Sequence, residues 1–483
     1  MPATLHVHAD PSDLPENLDT LLLVGRRERL LAEDVRALLP ESLPVEAWEA
    51  MVGGEAKDHG RIATHYTAAG PRKVVAGVLP EKCSRHNAPS RAWAIPGLVR
   101  GMGRRGPQGV IFALDGVEHA FASATAAATA LPLFSATSKR RERAVHVAFT
   151  VPDGAVKAAE AIAVAAEGTR RAASWVDMPP DLLTTTRFVR IAREVAADLV
   201  CAIQVIQGGM LRDQGLGGLY GVGRGAKDPP ALVVLDHDPV GATRRTCLVG
   251  KGIVYDTGGL SLKTKTGMVG MKTDMGGAAA VLGAFEAAVR LGYPERLTAI
   301  LCIAENMIGP DSIRPDDVLT MLSGKTVEVN NTDAEGRLAL GDGVAWAVKY
   351  RDPADIVDLA TLTGAQPMAT GKKHAGIYCN DEGFEQLAVR AGRASGNTVH
   401  PLPYAPELYR GEFSSHVADM RNSVKDRYNA QSSCAGQFVG NHLGEFAGRW
   451  LHVDLCGPAF SAGRGTGFGV GLLLTLLGVG APV

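Results

Sequence analysis

Two stretches of this chain carry residues whose types and spacing could do chemistry. One is Asn330-Asn331-Thr332-Asp333-Ala334-Glu335-Gly336-Arg337, and the other runs from Lys251 through Asp256 and Lys263 to Asp274. Together they hold four carboxylates, two lysines and an arginine among glycines and apolar runs that read as buried structure. Burying carboxylates without compensation is strongly unfavourable, and divalent metal ions are the strongest source of countercharge. The chemistry this points to is hydrolysis at a two-metal site.

Each stretch also has a purely structural reading. Thr332-x-x-Glu335 has the form of a capping box, and Asp333 would suit a helix N-terminus. Asp256 before Thr257-Gly258-Gly259 reads as an Asx-turn, and Asp274 before Met275-Gly276-Gly277 as an N-cap. Capping does not explain why Asn330, Asn331 and Arg337 crowd one turn. The glycines, for their part, let backbone approach a metal or substrate closely. Acids at i and i+2 of an extended turn, as in Asp333-Ala334-Glu335, project to one side. Other templates fail: Gly324-Lys325-Thr326 lacks the glycine that a phosphate loop needs at Leu319, and no H-E-x-x-H or G-x-S-x-G occurs. His374, His416 and His442 read as structural or surface residues.

The elements that must position these residues follow from periodicity. Strand-like runs occur at residues 3–8, 20–24, 73–78, 109–114 and 145–151, with helical spacing at 92–102 and 120–130. A long alanine-rich helix spans 155–173, and Pro179-Pro180 ends it. Beyond it, strands at 231–235, 246–249, 297–304, 326–329 and 356–360 alternate with helices at 276–291, 335–350 and 384–394. The fold class expected is α/β: a small N-terminal α/β domain at 1–153, a connecting helix at 154–176 and a larger catalytic domain at 177–483. The larger domain has a mostly parallel central sheet flanked by helices. In such sheets sites lie at the carboxyl ends of strands, where Asp256, Asp333 and Glu335 fall.

Composition narrows the class. With Lys+Arg 50 against Asp+Glu 51 the net charge is −1, so nothing global points to nucleic acid or an acidic membrane surface. The basic cluster Lys139-Arg140-Arg141-Glu142-Arg143 has no interleaved aromatics and reads as a solvated loop. The seven cysteines are scattered and form no C-x-x-C pair, which fits a reducing cytosol. The first ten residues lack the pattern of a secretory signal and read as a strand. The uncharged stretch from Gly467 to Val483 is short and broken by glycines, so a buried terminal helix is expected there rather than a membrane span.

On these residues the chain resembles the cytosol (leucyl) aminopeptidase family of dinuclear metallopeptidases. Asn331-Thr332-Asp333-Ala334-Glu335-Gly336-Arg337-Leu338 is similar to the family signature, and 250–263, 271–280 and 358–365 are similar to its other core motifs. Val254-Tyr255-Asp256-Thr257-Gly258-Gly259 and Ser432-Ser433-Cys434-Ala435-Gly436 look closest to its probable aminopeptidase-like branch. The likeness covers roughly residues 170–483.

The resemblance implies that Lys251, Asp256, Asp274 and Glu335 bind one metal, and that Asp256, Glu335 and Asp333 bind the other. Asp256 and Glu335 would bridge. Lys263 would stabilise the oxyanion, and Arg337 would hold a bicarbonate or water acting as general base. Met271, Thr361 and Gly364 would line the pocket for the first side chain. Two divalent ions per chain are implied, Zn²⁺ or Mn²⁺ first, with Mg²⁺ or Co²⁺ also suited to an oxygen-rich set. Substrates would be peptides with a free N-terminus, and the assembly a cytoplasmic homohexamer, with no membrane or nucleic-acid partner expected. A DNA-binding or regulatory protein on the same fold is the alternative. Asp177 and Asp181 stand where the family more usually has asparagine, and these changes are expected to affect packing more than catalysis. The wording at Leu455-Cys456-Gly457-Pro458 also departs from the commonest family pattern.

Overall fold

The N-terminal strands pair into one sheet in the order β1-β6-β5-β2-β4-β3, formed by β1 (Thr4–Val7), β2 (Thr20–Gly25), β3 (Arg61–Tyr66), β4 (Lys73–Val78), β5 (Gln108–Ala113) and β6 (Ala144–Thr150). Every pairing is parallel except that of β3 with β4. The central strands β2 and β5 are buried along their length, whereas the edge strands β1 and β3 alternate. That difference explains why β3 has no clear sequence signal: Arg61-Ile62-Ala63-Thr64-His65-Tyr66 is an edge strand without an apolar run. Leu23, Trp48, Val74 and Ile111 belong to the core on this sheet. The structure, a computed structural model, describes residues 3–138, 143–152 and 154–483, so residues 139–142 of the basic cluster lie outside the described residues.

Two compact units divide the chain. The first comprises Met1–Arg171, Arg390–Thr398 and Gly471–Val483, and the second Ala172–Val389 and Val399–Val470. The division falls inside the helix Ala159–Asp177, which ends just before Pro179-Pro180, as the missing proline N–H requires.

The second unit is built on an eight-stranded sheet ordered β15-β14-β17-β13-β9-β10-β8-β7. Its strands are β7 (Ala202–Gln207), β8 (Ala231–His237), β9 (Arg245–Asp256), β10 (Arg296–Asn306), β13 (Asp355–Ala360), β14 (Ala375–Cys379), β15 (Val399–Pro401) and β17 (Arg449–Asp454). The run β17-β13-β9-β10 is parallel throughout, as is β14 with β15, and antiparallel pairings join β14 to β17, β8 to β10 and β7 to β8. The mostly parallel sheet expected from the strand-helix alternation is thus present, with antiparallel strands added outside its centre. A small sheet of β11 (Val318–Thr320), β12 (Thr326–Glu328) and β16 (Met420–Arg421) stands beside it in the chain order β11-β12-β16.

Helices Gly276–Arg290 and Glu335–Arg351 are buried on nearly every face, which marks them as core helices rather than surface ones. The first lies directly on the strands. A Cβ at Gly277 would sit 2.0 Å from the carbonyl oxygen of Leu359, and one at Gly250 2.5 Å from the Cα of Ala278. Only glycine permits that approach. At the end of the chain, Val470–Leu476 is a short, largely buried helix, and no described helix is long and apolar enough to cross a membrane.

Candidate active site

Strand β9 supplies one half of the site. It is twelve residues long, pairs in parallel with β10 and β13, and places Lys251 mid-strand and Asp256 at its carboxyl end. Asp274 follows the 3₁₀ turn Met271–Thr273 and precedes the helix Gly276–Arg290. Asp333 and Glu335 lie between β12 and the helix that Glu335 opens.

The capping alternatives give way on inspection of the hydrogen bonds. The helix at Glu335 has Ala334 as its N-cap with no side-chain cap bond, and the helix at Gly276 is likewise uncapped by any side chain. The Thr332 hydroxyl instead donates to the Gly258 carbonyl (2.6 Å) and accepts from Ser261 N–H (2.7 Å), which stitches the two stretches together. The Asx-turn is real: Asp256 Oδ1 accepts from Gly258 N–H at 2.9 Å and from Asn306 Nδ2 at 2.8 Å. Its other oxygen is left for the cluster.

There the charges converge. Lys251 Nζ lies 2.8 Å from Asp274 Oδ2 and 2.9 Å from Glu335 Oε1, and it donates to the Thr361 carbonyl at 3.1 Å. Lys263 Nζ lies 2.8 Å from Asp256 Oδ2 and 2.5 Å from Asp333 Oδ1. Thr361 Oγ1 donates to Asp274 Oδ1 at 2.8 Å. Buried Arg337 donates from Nη1 to the Asn422 carbonyl at 3.1 Å, while its Nε has no hydrogen-bond partner among the described residues. The seven residues singled out as metal ligands or catalytic groups therefore share one neighbourhood, with Lys251, Asp256, Asp274, Glu335 and Arg337 buried and Lys263 and Asp333 partly exposed. A Cβ at Gly336 would lie 2.3 Å from Lys251 Cε, so the helix start must be glycine for this lysine to pass.

Burial dominates the electrostatics. It pushes the Glu335 carboxyl up to about 8, with repulsion from Asp256 adding to it, and the Asp274 carboxyl up to about 6. Burial also raises Asp333 and draws the Arg337 guanidinium down to about 10. For Lys251 burial acts downward, but Asp274, Glu335 and Asp256 outweigh it and hold the ammonium above its ordinary range; Lys263 is raised in the same way. A lysine amine that is to ligate a metal must therefore give up a proton that its neighbours retain.

The donor set fits divalent ions. One carboxylate oxygen each from Asp256, Asp333 and Glu335 lie within 4.8 Å of one another. Glu335 Oε2 is buried with no hydrogen-bond partner, a lone pair that a cation would use. Oxygen donors with one amine suit Mg²⁺, Mn²⁺, Co²⁺ or Zn²⁺.

The catalytic domain of the cytosol aminopeptidase family matches residues 170–474, and the M17 aminopeptidase N-terminal domain 2 matches residues 19–140. The mouse (Mus musculus) protein named probable aminopeptidase NPEPL1 is 45% identical over 97% of this chain and 90% of its own length. The chain belongs to the cytosol aminopeptidase family. Among solved structures, the leucine aminopeptidase of Caenorhabditis elegans is 36% identical and superposes with a TM-score of 0.92 over 99% of this chain and 98% of that one. The leucyl aminopeptidase of Trypanosoma brucei in complex with bestatin is 39% identical, with a TM-score of 0.91 over 98% and 95%. This family member is accordingly a peptidase of the metal-dependent, leucyl-aminopeptidase type.

Several positioning residues of this aminopeptidase escape sequence reasoning. Asn422, at the end of β16, accepts from Asn330 N–H (3.0 Å) and Asn331 N–H (3.3 Å) and donates to the carbonyls of Asn331 (2.7 Å) and Ala334 (3.2 Å). Buried Asp454 accepts from the Thr363 hydroxyl at 2.6 Å, Leu362 N–H at 3.1 Å and Ser432 Oγ at 3.0 Å, holding the loop that follows β13. Asp454 has as its only signal a charge between Val453 and Leu455, and Asn422, between Arg421 and Ser423, has none. Of the residues expected to line a pocket, Thr361 has both polar atoms engaged, which leaves its methyl, near Leu455 and Ala459 around Gly276. Gly364 faces open space, and Met271 is half-buried at the turn before Asp274. Asp177 accepts from Gly465 N–H at 2.8 Å and pairs with Arg464 at 2.9 Å, a packing role.

Proposed function

We propose that this aminopeptidase releases the N-terminal residue of peptides with two divalent ions, one on Lys251, Asp256, Asp274 and Glu335, the other on Asp256, Asp333 and Glu335. The observation that carries the reading is the convergence of Asp256, Asp333 and Glu335 oxygens within 4.8 Å, with Glu335 Oε2 otherwise unpartnered. When bound, the ions acidify water, polarise the scissile carbonyl and give the substrate's free amine a ligand position. Lys263, the more exposed of the two lysines, keeps its proton and aims it at the oxygen on which negative charge develops. Arg337 holds a bicarbonate or a water that takes up the proton released by the attacking water. Thr361 locks Asp274 and Lys251 in place, and Asn306 fixes the orientation of Asp256. An apolar first side chain fits the methyl of Thr361 together with Met271 and the open face at Gly364.

Zn²⁺ and Mn²⁺ are the ions of first choice. Family membership supports a homohexamer working in the cytoplasm, and light scattering tests the assembly. The deciding experiment compares a leucyl peptide with its N-acetylated twin, using protein stripped by chelator and reloaded with Mn²⁺ or Zn²⁺. Metal-dependent cleavage of the free-amine peptide alone is expected. Equal cleavage of both would overturn the role of the amine, and activity unaffected by chelator would overturn the metal site.

A further inference from the structure

The pocket proposed for the first side chain has two walls that come from distant parts of the chain. One is the 3₁₀ turn Met271–Thr273, which carries Met271 and leads into Asp274. The other is segment 455–459, which leaves β17: a Cβ built at Gly276 would lie 3.5 Å from Thr361 Cγ2, 3.6 Å from Ala459 Cβ and 3.8 Å from Leu455 Cδ1. Neither wall is a strand or a long helix, so its position depends on what fastens it to the scaffold.

Both walls are fastened to the same residue. Asp177 ends the helix Ala159–Asp177 and is 4% exposed. Its backbone carbonyl accepts from Lys272 Nζ at 2.5 Å, which holds the turn. Its carboxylate accepts from Gly465 N–H at 2.8 Å and pairs with Arg464 Nε at 2.9 Å. That second tie carries through to the other wall. Arg464–Gly465 pairs with Phe460–Ser461 in a tight hairpin whose two turn residues, Ala462 and Gly463, have φ of 51° and 76°. Beyond the hairpin, Thr466 donates from N–H to the Ala459 carbonyl (3.1 Å) and from Oγ1 to the Pro458 carbonyl (2.7 Å). Burial raises the Asp177 carboxyl, while Gly465 N–H and the charges of Arg464 and Lys272 act against it, so both cations face this one acid. A buried carboxylate is costly unless it is paired, and the pairs made here fix the two walls relative to one helix end.

We propose that Asp177 is a positioning residue for specificity: by tying the Met271 turn and segment 455–459 to one helix end, it sets the width of the slot that receives the first side chain. The inference rests on the pocket reading given under the proposed function. Lys272, Arg464 and Gly465 all lie outside the catalytic cluster, so Asp177 acts on which side chain is accepted and not on the bond-breaking step. A leucyl side chain reaches both walls and an alanyl methyl does not. Loosening one wall therefore weakens leucyl contacts and spares alanyl substrates.

The test compares leucyl and alanyl peptides of otherwise identical sequence on metal-loaded wild type, Asp177→Ala, Arg464→Met and Met271→Ala, with bound metal measured on each. Asp177→Ala and Arg464→Met are expected to lower the leucyl-to-alanyl ratio of kcat/KM by roughly tenfold, the lower end of what one methylene's contact contributes, through a higher KM for the leucyl peptide. Metal content and kcat on the alanyl peptide stay at the wild-type level. An unchanged ratio in folded Asp177→Ala, where Met271→Ala does change it, overturns the proposal alone. An unchanged ratio in both variants overturns the pocket reading on which it rests. Equal losses on the two peptides also overturn the proposal and leave Asp177 a packing residue. If Asp177→Ala does not fold, Asp177→Asn, which keeps an acceptor for Gly465 N–H and loses the ion pair with Arg464, must show the same direction of change; its absence overturns the proposal.

Discussion

Lys263 bridges Asp256 and Asp333 with an ammonium that those carboxylates hold in its charged form. Lys251 does the same for Asp274 and Glu335 but is almost fully enclosed. In the proposed mechanism the two lysines part in role: the enclosed one would join the ligand set, and the more accessible one would face the reacting carbonyl. Lys263→Ala is expected to retain metal and lose kcat by roughly 10²-fold or more, the usual cost of removing an oxyanion donor. Full metal content with near-normal kcat would remove that role. Gly336→Ala tests the other lysine without touching its charge. The new methyl would occupy space 2.3 Å from Lys251 Cε, so the helix start or the lysine must move. Lower metal content and lower activity are expected together in that variant, measured by elemental analysis and peptide hydrolysis.

The signature loop is held at the level of elements by a strand about ninety residues away. β16 pairs with β12 and thereby delivers Asn422 to the backbone of Asn330, Asn331 and Ala334. Asn422→Ala leaves four bonds unmade and frees the loop that aims Asp333 and Glu335. Its expected cost is roughly 10²-fold in kcat/KM, the scale of an ångström-level misplacement, and Asn422→Asp, which keeps only the acceptors, should fall between. Unaltered kinetics in Asn422→Ala would show that the loop holds itself. This dependence also shows what sequence can disclose. Asp333, Glu335, Asp256 and the lysines were legible because charge in an apolar setting demands partners. Buried strands such as β2, β5 and β13 were legible from their apolar runs. β17 was not, because Arg449, His452 and Asp454 interrupt its pattern, and His452 is accommodated only by pairing with Asp358 at 2.5 Å across the sheet. β7 and β3 lie at sheet edges, where apolar continuity is absent. Asn422 acts through a pairing that no local spacing encodes.

Across the larger unit, two buried groups set opposing responses to pH. Burial drives His442, bonded through Nδ1 to Ser323, down to about 3 and drives Asp342, which accepts from Leu219 and Leu322 N–H, up to about 7. His442 contributes stability that is present above its unfolded value near 6.5 and is lost as pH falls toward 3. Asp342 contributes stability that is present below its unfolded value near 3.8 and is lost as pH rises through about 7. The two slopes overlap between about pH 4 and 6.5 and partly cancel there. His442→Gln is expected to become more stable on acidification through that window, and Asp342→Asn less stable. For His442 the effect at pH 5 is at most about 2 kcal/mol, from 1.5 units at 1.36 kcal/mol each. Urea midpoints at pH 5 and 7 for the three proteins check both signs. Parallel profiles would show that neither group titrates differently on folding.

The clamp from β16 has a further consequence in time rather than in space. Every acidic residue of the cluster precedes residue 336 in the chain, yet the loop bearing Asp333 and Glu335 is fastened only through Thr332 and its neighbours until Asn422 emerges, and the loop after β13, tied through Thr361, gains its second tie only with Asp454. A chain still on the ribosome thus carries all the proposed ligands before the last of the ties that hold them is made. The ties that complete the site are therefore expected to close late in the synthesis of the chain.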